Sequence, residues 1–343
     1  MICTDIHTAL ESLLARYDHD QVILVCDKAI YNLQFTIYNY PTLPLAVSEA
    51  EKSIETVSRI WDFLLEHGVT RRGVVVCIGG GVLTDIGGFA AATYKRGIDY
   101  INVPTTLLAM IDASSGGKTG VNYRGLKNCI GVFAPPVETV IWPEWLKTLP
   151  PKQILSGFGE MLKTGLVGST DLYSKLLNYD LDTMDIEALT PLIEDCVAEK
   201  ERIVAADPHE EGLRKVLNFG HTFGHALEEV TVSGEGLAVS GSMPHGYAVL
   251  YGLIAELYLS VVKLNCPKAP LQQLTQLMLH YYGKPECKCS NREQLIALMQ
   301  QDKKNERTAE INCTLIQNIG SPVINQVITP AEAAEALEYL FSL

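Results

Sequence analysis

Two histidines four residues apart are the first residues in this chain whose spacing suggests chemistry. His221 and His225 lie in the segment 218–228, and on a helix a spacing of four places both imidazoles on one face. Such a pair can hold one divalent cation, with the remaining ligands supplied from elsewhere in the chain. Glu160 and His245 are the candidates for those positions. Spacing alone leaves open which of the paired histidines is the ligand.

A glycine triplet at 79–81 suggests a second kind of chemistry. It follows the apolar run 74–78 and precedes a helix predicted to begin near Leu83, with Asp85 one turn further on. Glycines let backbone N–H groups approach phosphate oxygens, and the start of a helix directs its positive end at them. The pattern therefore favours a dinucleotide pyrophosphate site. It is not the G-x-G-x-x-G fingerprint, so it does not establish a Rossmann fold by itself.

A glycine-rich basic segment follows between residues 93 and 128. The segment has a net positive charge, whereas the formal net charge of the whole chain is −13. Its lysines and arginines are interleaved with glycines. Within it, the Ser-Ser-Gly-Gly-Lys run at 114–118 resembles a backbone nest for an anion. We expect a phosphorylated substrate beside the dinucleotide.

The elements that position these residues divide the chain into two parts. Apolar runs typical of buried strands alternate with a helical pattern in the first part. The runs cover 22–26, 74–78 and 101–103, and the helical pattern covers 54–67. Helical periodicity then dominates over 187–205, 247–264, 271–282 and 331–341. Because Pro150 and Pro151 interrupt any continuing element, we predict an α/β domain over 1–150 and a mainly helical domain over 151–343.

Length and composition agree with a two-domain enzyme of the cytoplasm. The chain has 343 residues, of which 47% are hydrophobic, so it can bury two cores. Its acidic balance argues against binding to a nucleic-acid backbone, and nine cysteines, an odd number, do not form a disulfide framework. The N-terminus lacks the pattern of a signal peptide. The longest apolar stretch, 247–262, contains Glu256 and is short for a membrane span, so we expect a buried helix.

In combination, these motifs resemble the 3-dehydroquinate synthase family of sugar phosphate cyclases. The likeness runs from Asp27 to the segment 302–305. The motifs that carry it occur in the family's order at 79–85, 91–97, 103–108, 116–120, 127–128, Glu160 with Lys163, and 218–225.

The resemblance implies a Rossmann-like NAD-binding domain followed by a mainly helical metal-binding domain, with the active site in the cleft between them. The metal ligands would be Glu160, His221 and His245, and His225 would contact the substrate. Zinc is the metal that the family implies, with cobalt as an alternative. Resemblance, rather than spacing, thus chooses between the paired histidines.

The resemblance also assigns the remaining site residues. Those assigned to NAD are Asp27, Glu49, Lys52, Gly79, Gly80, Gly81, Asp85, Thr105, Thr106, Asp112, Lys118 and Lys127. Those assigned to the carboxylate, hydroxyls and phosphate of the substrate are Lys118, Asn128, Lys163, Lys200, Arg214, Asn218, His225 and Lys303. Arg96 would reach across the interface of a homodimer to the substrate phosphate.

The implied reaction converts 3-deoxy-D-arabino-heptulosonate 7-phosphate to 3-dehydroquinate and phosphate, by transient NAD oxidation, phosphate elimination, re-reduction and aldol closure. Arg214, Asn218, His225 and Lys303 together favour this branch over cyclases of sedoheptulose 7-phosphate or glucose 6-phosphate. A metal- and NAD-dependent polyol or glycerol phosphate dehydrogenase is a more distant alternative, and it would accumulate NADH. A dinucleotide-binding scaffold without turnover is the non-enzymatic alternative.

Three departures from the family pattern concern loops. Ser48 stands where a glycine is usual, and Gly125-Leu126 reverses the usual order. The stretch from Val230 to Met243 is long and rich in glycine and serine, which predicts a surface insertion or flap.

Overall fold

The computed structural model describes residues 1–32, 40–232, 243–285, 291–301 and 310–343. Within these ranges the chain forms two compact units, Met1–Pro150 and Pro151–Leu343. Pro151 is the first residue of a helix, where its missing N–H would have had no helical acceptor. Lys303 and residues 233–242 of the predicted insertion lie outside the described residues.

The first unit is built on a parallel sheet. The strands of this unit are β1 (Val22–Asp27), β2 (Thr42–Leu45), β3 (Val74–Gly79), β4 (Asp99–Pro104), β5 (Lys118–Tyr123), β6 (Leu126–Phe133) and β7 (Glu138–Thr139). Five of those described pair in the order β2-β1-β3-β4-β7, with every pairing parallel. The side chains of β3 are buried on both faces, which is why its sequence is a continuous apolar run rather than an alternating one.

The helices of the first unit are α1 (Ile6–Leu14), α2 (Lys28–Asn32), α3 (Ile54–Glu66) and α4 (Gly81–Thr93). The Ser53 side chain caps α3 by accepting from the Thr56 N–H, and α3 turns Val57 and Ile60 toward the core. Nearly every side chain from Leu83 onward in α4 is buried, so this helix is apolar on all sides.

The strand order creates a switch point at the carboxyl end of the sheet. The chain runs from β1 outward to β2 and then crosses back to β3 on the other side of β1. In open α/β sheets, ligands bind outside the carboxyl ends of the strands at such a point. Gly79, which ends β3, lies there in register with Pro104 at the end of β4. The glycine triplet therefore occupies the position of a ligand site.

An antiparallel hairpin of β5 and β6 follows the sheet strand β4, and the sequence pattern does not predict it. Arg124 and Gly125 form its turn with φ of 49° and 81°. Positive φ at both turn residues is the type I′ geometry that suits tight hairpins. The Gly125-Leu126 order therefore fits the turn. Lys118 begins β5, and Lys127 and Asn128 lie on the exposed strand β6.

The second unit is mainly helical, as predicted. Its helices are α5 (Pro151–Gly168), α6 (Thr170–Leu177), α7 (Ile186–Ala206), α8 (His221–Val232), α9 (His245–Leu264), α10 (Lys268–Leu277), α11 (Arg292–Gln301) and α12 (Pro330–Ser342). A second unpredicted hairpin joins β8 (Ile311–Asn318) to β9 (Ser321–Ile328). By length and composition α9 could cross a membrane, but 67% of its apolar window is buried inside the unit. It is a core helix.

Glycines bring the backbone of α9 into direct contact with α5 on one side and with the start of α8 on the other. A methyl group on Gly246, in the first turn of α9, would overlap the Ser156 carbonyl oxygen of α5. A methyl group on Gly252 would overlap the carbonyl oxygen of Gly220, just before α8. Because no side chain separates these backbones, the residues at the start of α8 and α9 lie close to α5.

Candidate active site

Three donor side chains from three helices meet in the second unit. Glu160 comes from the middle of α5, and His221 and His245 are the first residues of α8 and α9. From Glu160 Oε1, Nε2 of His221 is 3.4 Å distant and Nε2 of His245 is 3.2 Å distant. One donor atom from each residue lies within 4.8 Å of the other two. Glu160 is 0% exposed and His221 is 9% exposed, whereas the His245 side chain is 29% exposed, so the cluster is open to solvent on the side of His245.

The charges in this cluster are strongly coupled. Burial alone would raise the pKa of Glu160, but Lys163, whose Nζ lies 2.5 Å from Oε2, and then His221 hold it well below its ordinary value. Burial lowers the pKa of His221 to about 4 despite the attraction of Glu160. Burial also lowers the pKa of His245, but contacts with Glu160 and Glu228 outweigh it and raise that pKa to about 10. Glu160 is thus a carboxylate facing imidazoles.

The far nitrogen of each imidazole faces an acceptor. Nδ1 of His221 lies 3.2 Å from the Phe219 carbonyl oxygen, and Nδ1 of His245 lies 3.3 Å from Oε2 of Glu228. The pKa of about 10 keeps metal-free His245 protonated on both nitrogens at neutral pH, so a cation would have to displace its Nε2 proton. With a proton kept on each Nδ1, both Nε2 lone pairs would then be available to the cation. This is the arrangement in which metal-binding histidines are usually held.

The donor set fits a divalent metal. Although Glu160 is in ionic contact with Lys163 and both histidines, neither of its buried oxygens makes a hydrogen bond of good geometry within the part of the chain that the structure describes. A divalent cation would give these buried oxygens a partner of better geometry. Two imidazoles and a carboxylate form the three-ligand set of catalytic zinc sites, which keep one position open for water or substrate.

His225 lies beside the cluster without joining the donor group. Its ring centroid is 5.2 Å from that of His221 and 6.1 Å from that of His245. The close group of donor atoms contains His221 instead. This geometry distinguishes two histidines that spacing treats as equivalent.

The second unit also contains three buried basic side chains and a loop, 207–218, that is held by hydrogen bonds to Asp207. Lys163, Lys200 and Arg214 are all at most 5% exposed. The Arg214 guanidinium donates to the Pro208 carbonyl oxygen at 2.7 Å. The Asp207 carboxylate accepts three backbone N–H groups of this loop, those of Glu211, Gly212 and Arg214. These hydrogen bonds also lower the pKa of Asp207, led by that of Arg214. Asn218, at the loop's end, donates to Oε1 of Glu210 at 3.0 Å.

In the first unit, the glycine triplet forms a cradle at the start of α4. Gly80 is the N-cap, and no side chain caps the helix. A methyl group on Gly81 would come within 2.9 Å of Ala113 Cβ, and one on Gly80 within 3.2 Å of Thr106 Cγ2. The Thr105 N–H donates to the Gly79 carbonyl oxygen at 3.0 Å. Side chains are thus kept off an uncapped helix N-terminus at the switch point, where backbone N–H groups can bind an anion.

A buried ion pair joins Asp85, in α4, to Lys52. Nζ of Lys52 is 2.5 Å from Oδ2 of Asp85, and these side chains are 6% and 18% exposed. Burial raises the pKa of Asp85, against the attraction of Lys52. The negative charge of Glu49 also raises the pKa of Asp85. Glu49 accepts a hydrogen bond of 2.8 Å from Asn122 of the hairpin. The structure therefore groups Glu49, Lys52 and Asp85, with Asp112 near enough to raise the Asp85 pKa further.

Other residues assigned by resemblance are placed as follows. Asp27 ends β1 and accepts the Ala29 N–H at 2.9 Å. Arg96 is exposed in the turn after α4, with φ of 69°. Lys118, Lys127 and Asn128 are exposed on the hairpin, which pairs as a separate two-stranded sheet. The basic segment 93–128 is thus spread over several elements rather than forming one loop.

The sequence analysis did not identify Glu228, although a signal was present. It follows His221 by seven residues and His225 by three, so it belongs to the same helical stripe. A carboxylate on that stripe is a reasonable partner for a ligating histidine.

Fold and site together define a class of enzyme in which a dinucleotide-binding α/β unit precedes a helical metal-binding unit. The family models for the 3-dehydroquinate synthase N-terminal and C-terminal domains match residues 42–156 and 157–305. A curated 3-dehydroquinate synthase from Parabacteroides distasonis is 40% identical over 99% of this chain and 96% of its own length. The chain belongs to the 3-dehydroquinate synthase family.

Solved structures of related cyclases share the whole fold. The 2-epi-5-epi-valiolone synthase of Streptomyces hygroscopicus, solved with NAD⁺ and Zn²⁺ bound, has a TM-score of 0.83 at 28% identity, covering 100% of this chain and 96% of its own. A 2-deoxy-scyllo-inosose synthase, complexed with carbaglucose-6-phosphate, NAD⁺ and Co²⁺, has a TM-score of 0.85 at 22% identity, covering 98% and 95%. The second likeness shows the fold alone.

Proposed function

We propose that this chain converts 3-deoxy-D-arabino-heptulosonate 7-phosphate to 3-dehydroquinate and inorganic phosphate, as a carbon–oxygen lyase of the shikimate pathway. The observation that carries the proposal is the buried cluster of Glu160, His221 and His245 in a chain of this family. A scaffold without turnover would not need a buried carboxylate gathered with two imidazoles into a set of metal ligands.

The cofactors of the proposed enzyme are NAD and a divalent cation. Related cyclases have been solved with NAD⁺ and either Zn²⁺ or Co²⁺. The imidazole and carboxylate donors here suit zinc, with cobalt as a substitute. When bound, NAD supplies a reversible hydride acceptor and the cation supplies a Lewis acid at the substrate hydroxyls.

In the second unit, Glu160, His221 and His245 would hold the cation, and Glu228 and the Phe219 carbonyl would hold the two imidazoles in the correct orientation. His225, beside the cluster, would hydrogen-bond to the substrate. The cations Lys163, Lys200 and Arg214, together with Asn218, would bind the carboxylate, hydroxyls and phosphate of the sugar. Their burial strengthens each interaction with an anion and excludes water from it.

In the first unit, the amides of residues 79–81 and the start of α4 would bind the pyrophosphate of NAD. Asp27, at the end of β1, would meet the adenosine end, with Glu49 and Lys52 nearby. Asp85, held by Lys52, would act on the nicotinamide side with Thr105, Thr106 and Asp112. Lys118, Lys127 and Asn128 would complete the site from the hairpin.

A homodimer and a cytoplasmic location belong to the same proposal. Arg96 is exposed in the turn after α4, so its guanidinium is accessible. In a homodimer it would reach the substrate phosphate of the partner copy. No disulfide joins the cysteines that the structure describes to one another, which suits a reducing compartment.

Substrate competition tests the proposal. Zinc-loaded protein with NAD would be offered the heptulosonate phosphate, sedoheptulose 7-phosphate and glucose 6-phosphate separately, and released phosphate would be measured. We expect rapid release from the heptulosonate phosphate alone. Release from only one of the other two sugars would reassign the chain to a different cyclase activity.

A further inference from the structure

Glu256 is a fully buried carboxylate for which the proposed chemistry has no use. It lies within α9, in an otherwise apolar stretch, and is 0% exposed. Its Oε2 accepts the Gly220 N–H at 2.6 Å, and its Oε1 accepts the Thr222 N–H at 3.2 Å. A carboxylate is expensive to bury, so these bonds offset a substantial desolvation cost.

The two amides lie on either side of His221. Because α8 begins at His221, its first N–H groups have no acceptor within the helix. A carboxylate there satisfies them with charge-assisted bonds and also faces the positive end of the helix dipole. The peptide units 219–220 and 221–222 are thereby both tied to one side chain, which fixes the backbone that carries the imidazole.

The same carboxylate connects two ligand-bearing helices. Glu256 belongs to α9, the helix that begins with His245, and it bonds to the start of α8. One turn before it, Gly252 lies directly against the carbonyl group of Gly220, and Gly220 has φ of 82°. Backbone contact and hydrogen bonds therefore act together to fix the start of α8 against α9.

We propose that Glu256 is a positioning residue for the metal site, holding His221 at the correct separation from His245 through the amides of Gly220 and Thr222. This inference rests on the proposed metal site and adds a residue that does not itself contact the cation. It predicts that metal affinity, and not only stability, depends on Glu256.

The test compares Glu256→Gln with Ser260→Ala. Glutamine keeps the shape but offers one oxygen, so it can satisfy only one of the two amides and opposes the other with its own NH₂. Ser260 is one turn further along α9 and equally buried, and its hydroxyl accepts the Ile316 N–H at 3.0 Å. Its hydroxyl also donates to the Glu256 carbonyl oxygen at 2.7 Å, so Ser260→Ala removes two buried bonds to backbone. Only Glu256→Gln changes the contact with α8.

Metal-free proteins would be titrated with Zn²⁺ against a chromogenic chelator, with circular dichroism confirming that each is folded. We expect Glu256→Gln to bind zinc about 10- to 100-fold more weakly, the usual effect of disturbing the partners of a metal ligand. We expect Ser260→Ala to bind zinc as the wild type does. Wild-type affinity in Glu256→Gln, or an equal loss in Ser260→Ala, would overturn the inference.

Two further outcomes are also decisive. If Glu256→Gln does not fold, Glu256→Asp decides, because it keeps the charge and withdraws the carboxylate by one methylene. Weaker zinc binding by Glu256→Asp supports the role, and unchanged binding overturns it. A folded wild-type protein that binds no zinc would overturn the metal site itself, and the positioning role with it.

Discussion

Replacing Lys52 by methionine would leave the Asp85 carboxylate buried without its cation. Methionine keeps the apolar stem of lysine and removes the ammonium group. In the wild type, that group lies 2.5 Å from Oδ2 of Asp85, and the Lys52 side chain is only 6% exposed. The perturbation thus removes one charge from a pair that solvent barely reaches.

The expected loss follows from the burial of the remaining charge. Removing one partner of a buried ion pair costs about 3–5 kcal/mol, and since Asp85 is 18% exposed we expect about 3 kcal/mol. Burial already raises the pKa of Asp85 and Lys52 opposes this, so the pKa rises further in the variant. Protonation then removes the stranded charge. The loss in Lys52→Met is therefore largest at neutral pH and shrinks as the pH falls through the raised pKa.

Tryptophan fluorescence during urea unfolding reports this loss of stability in the first structural unit. The three tryptophans of the chain are Trp61, Trp142 and Trp145, and all lie before Pro150. Lys147→Met is the matched control. Its pair with Glu144 has the same 2.5 Å separation but side chains 60% and 43% exposed, so its loss should stay below about 1 kcal/mol.

The combined change Lys52→Met with Asp85→Asn removes both charges and should recover most of the loss, since no uncompensated charge remains. If Lys52→Met is no less stable than the Lys147→Met control, or if its loss does not depend on pH, the argument from burial is refuted.

Three further changes test the second unit. His225→Ala should keep the metal and lose turnover, whereas His221→Ala should lose both; metal analysis beside the activity assay separates them, and a metal-free His225→Ala would contradict the ligand assignment. Gly246→Ala should destabilise this unit by about 3 kcal/mol, because the new methyl group meets the backbone carbonyl of Ser156. Thermal unfolding followed by circular dichroism measures this loss. Unchanged stability would show that α5 and α9 are not in backbone contact. Asp207→Asn removes a charged acceptor of the Arg214 loop and should raise KM. Steady-state kinetics with an unchanged KM would contradict this role.

Much of the first unit could be predicted from sequence because its signals are local. Apolar runs predicted β1, β3 and β4 to within two residues, and a helix was expected after the glycine triplet. The two hairpins were not predicted. In β5–β6, glycines at 120 and 131 and a wholly exposed second strand obscure the alternation that identifies a strand.

The candidate site could be predicted only in part, because its decisive features are tertiary. Spacing placed His221 and His225 on one face, but the orientation of each ring toward Glu160 depends on how α5, α8 and α9 pack. Glu256 is a single charge in an apolar helix, and nothing local shows that it reaches the start of another helix. The residues assigned to NAD and substrate remain predictions.

The central claim, that one site oxidises its substrate and then reduces it again, is tested most directly by turnover with substoichiometric NAD. Zinc-loaded protein would be mixed with excess heptulosonate phosphate, and phosphate, dehydroquinate and NADH absorbance would be followed together. We expect equal amounts of phosphate and dehydroquinate, far exceeding the NAD supplied, without accumulation of NADH. NADH that accumulates until turnover stops at one equivalent of NAD would contradict the account and indicate a dehydrogenase.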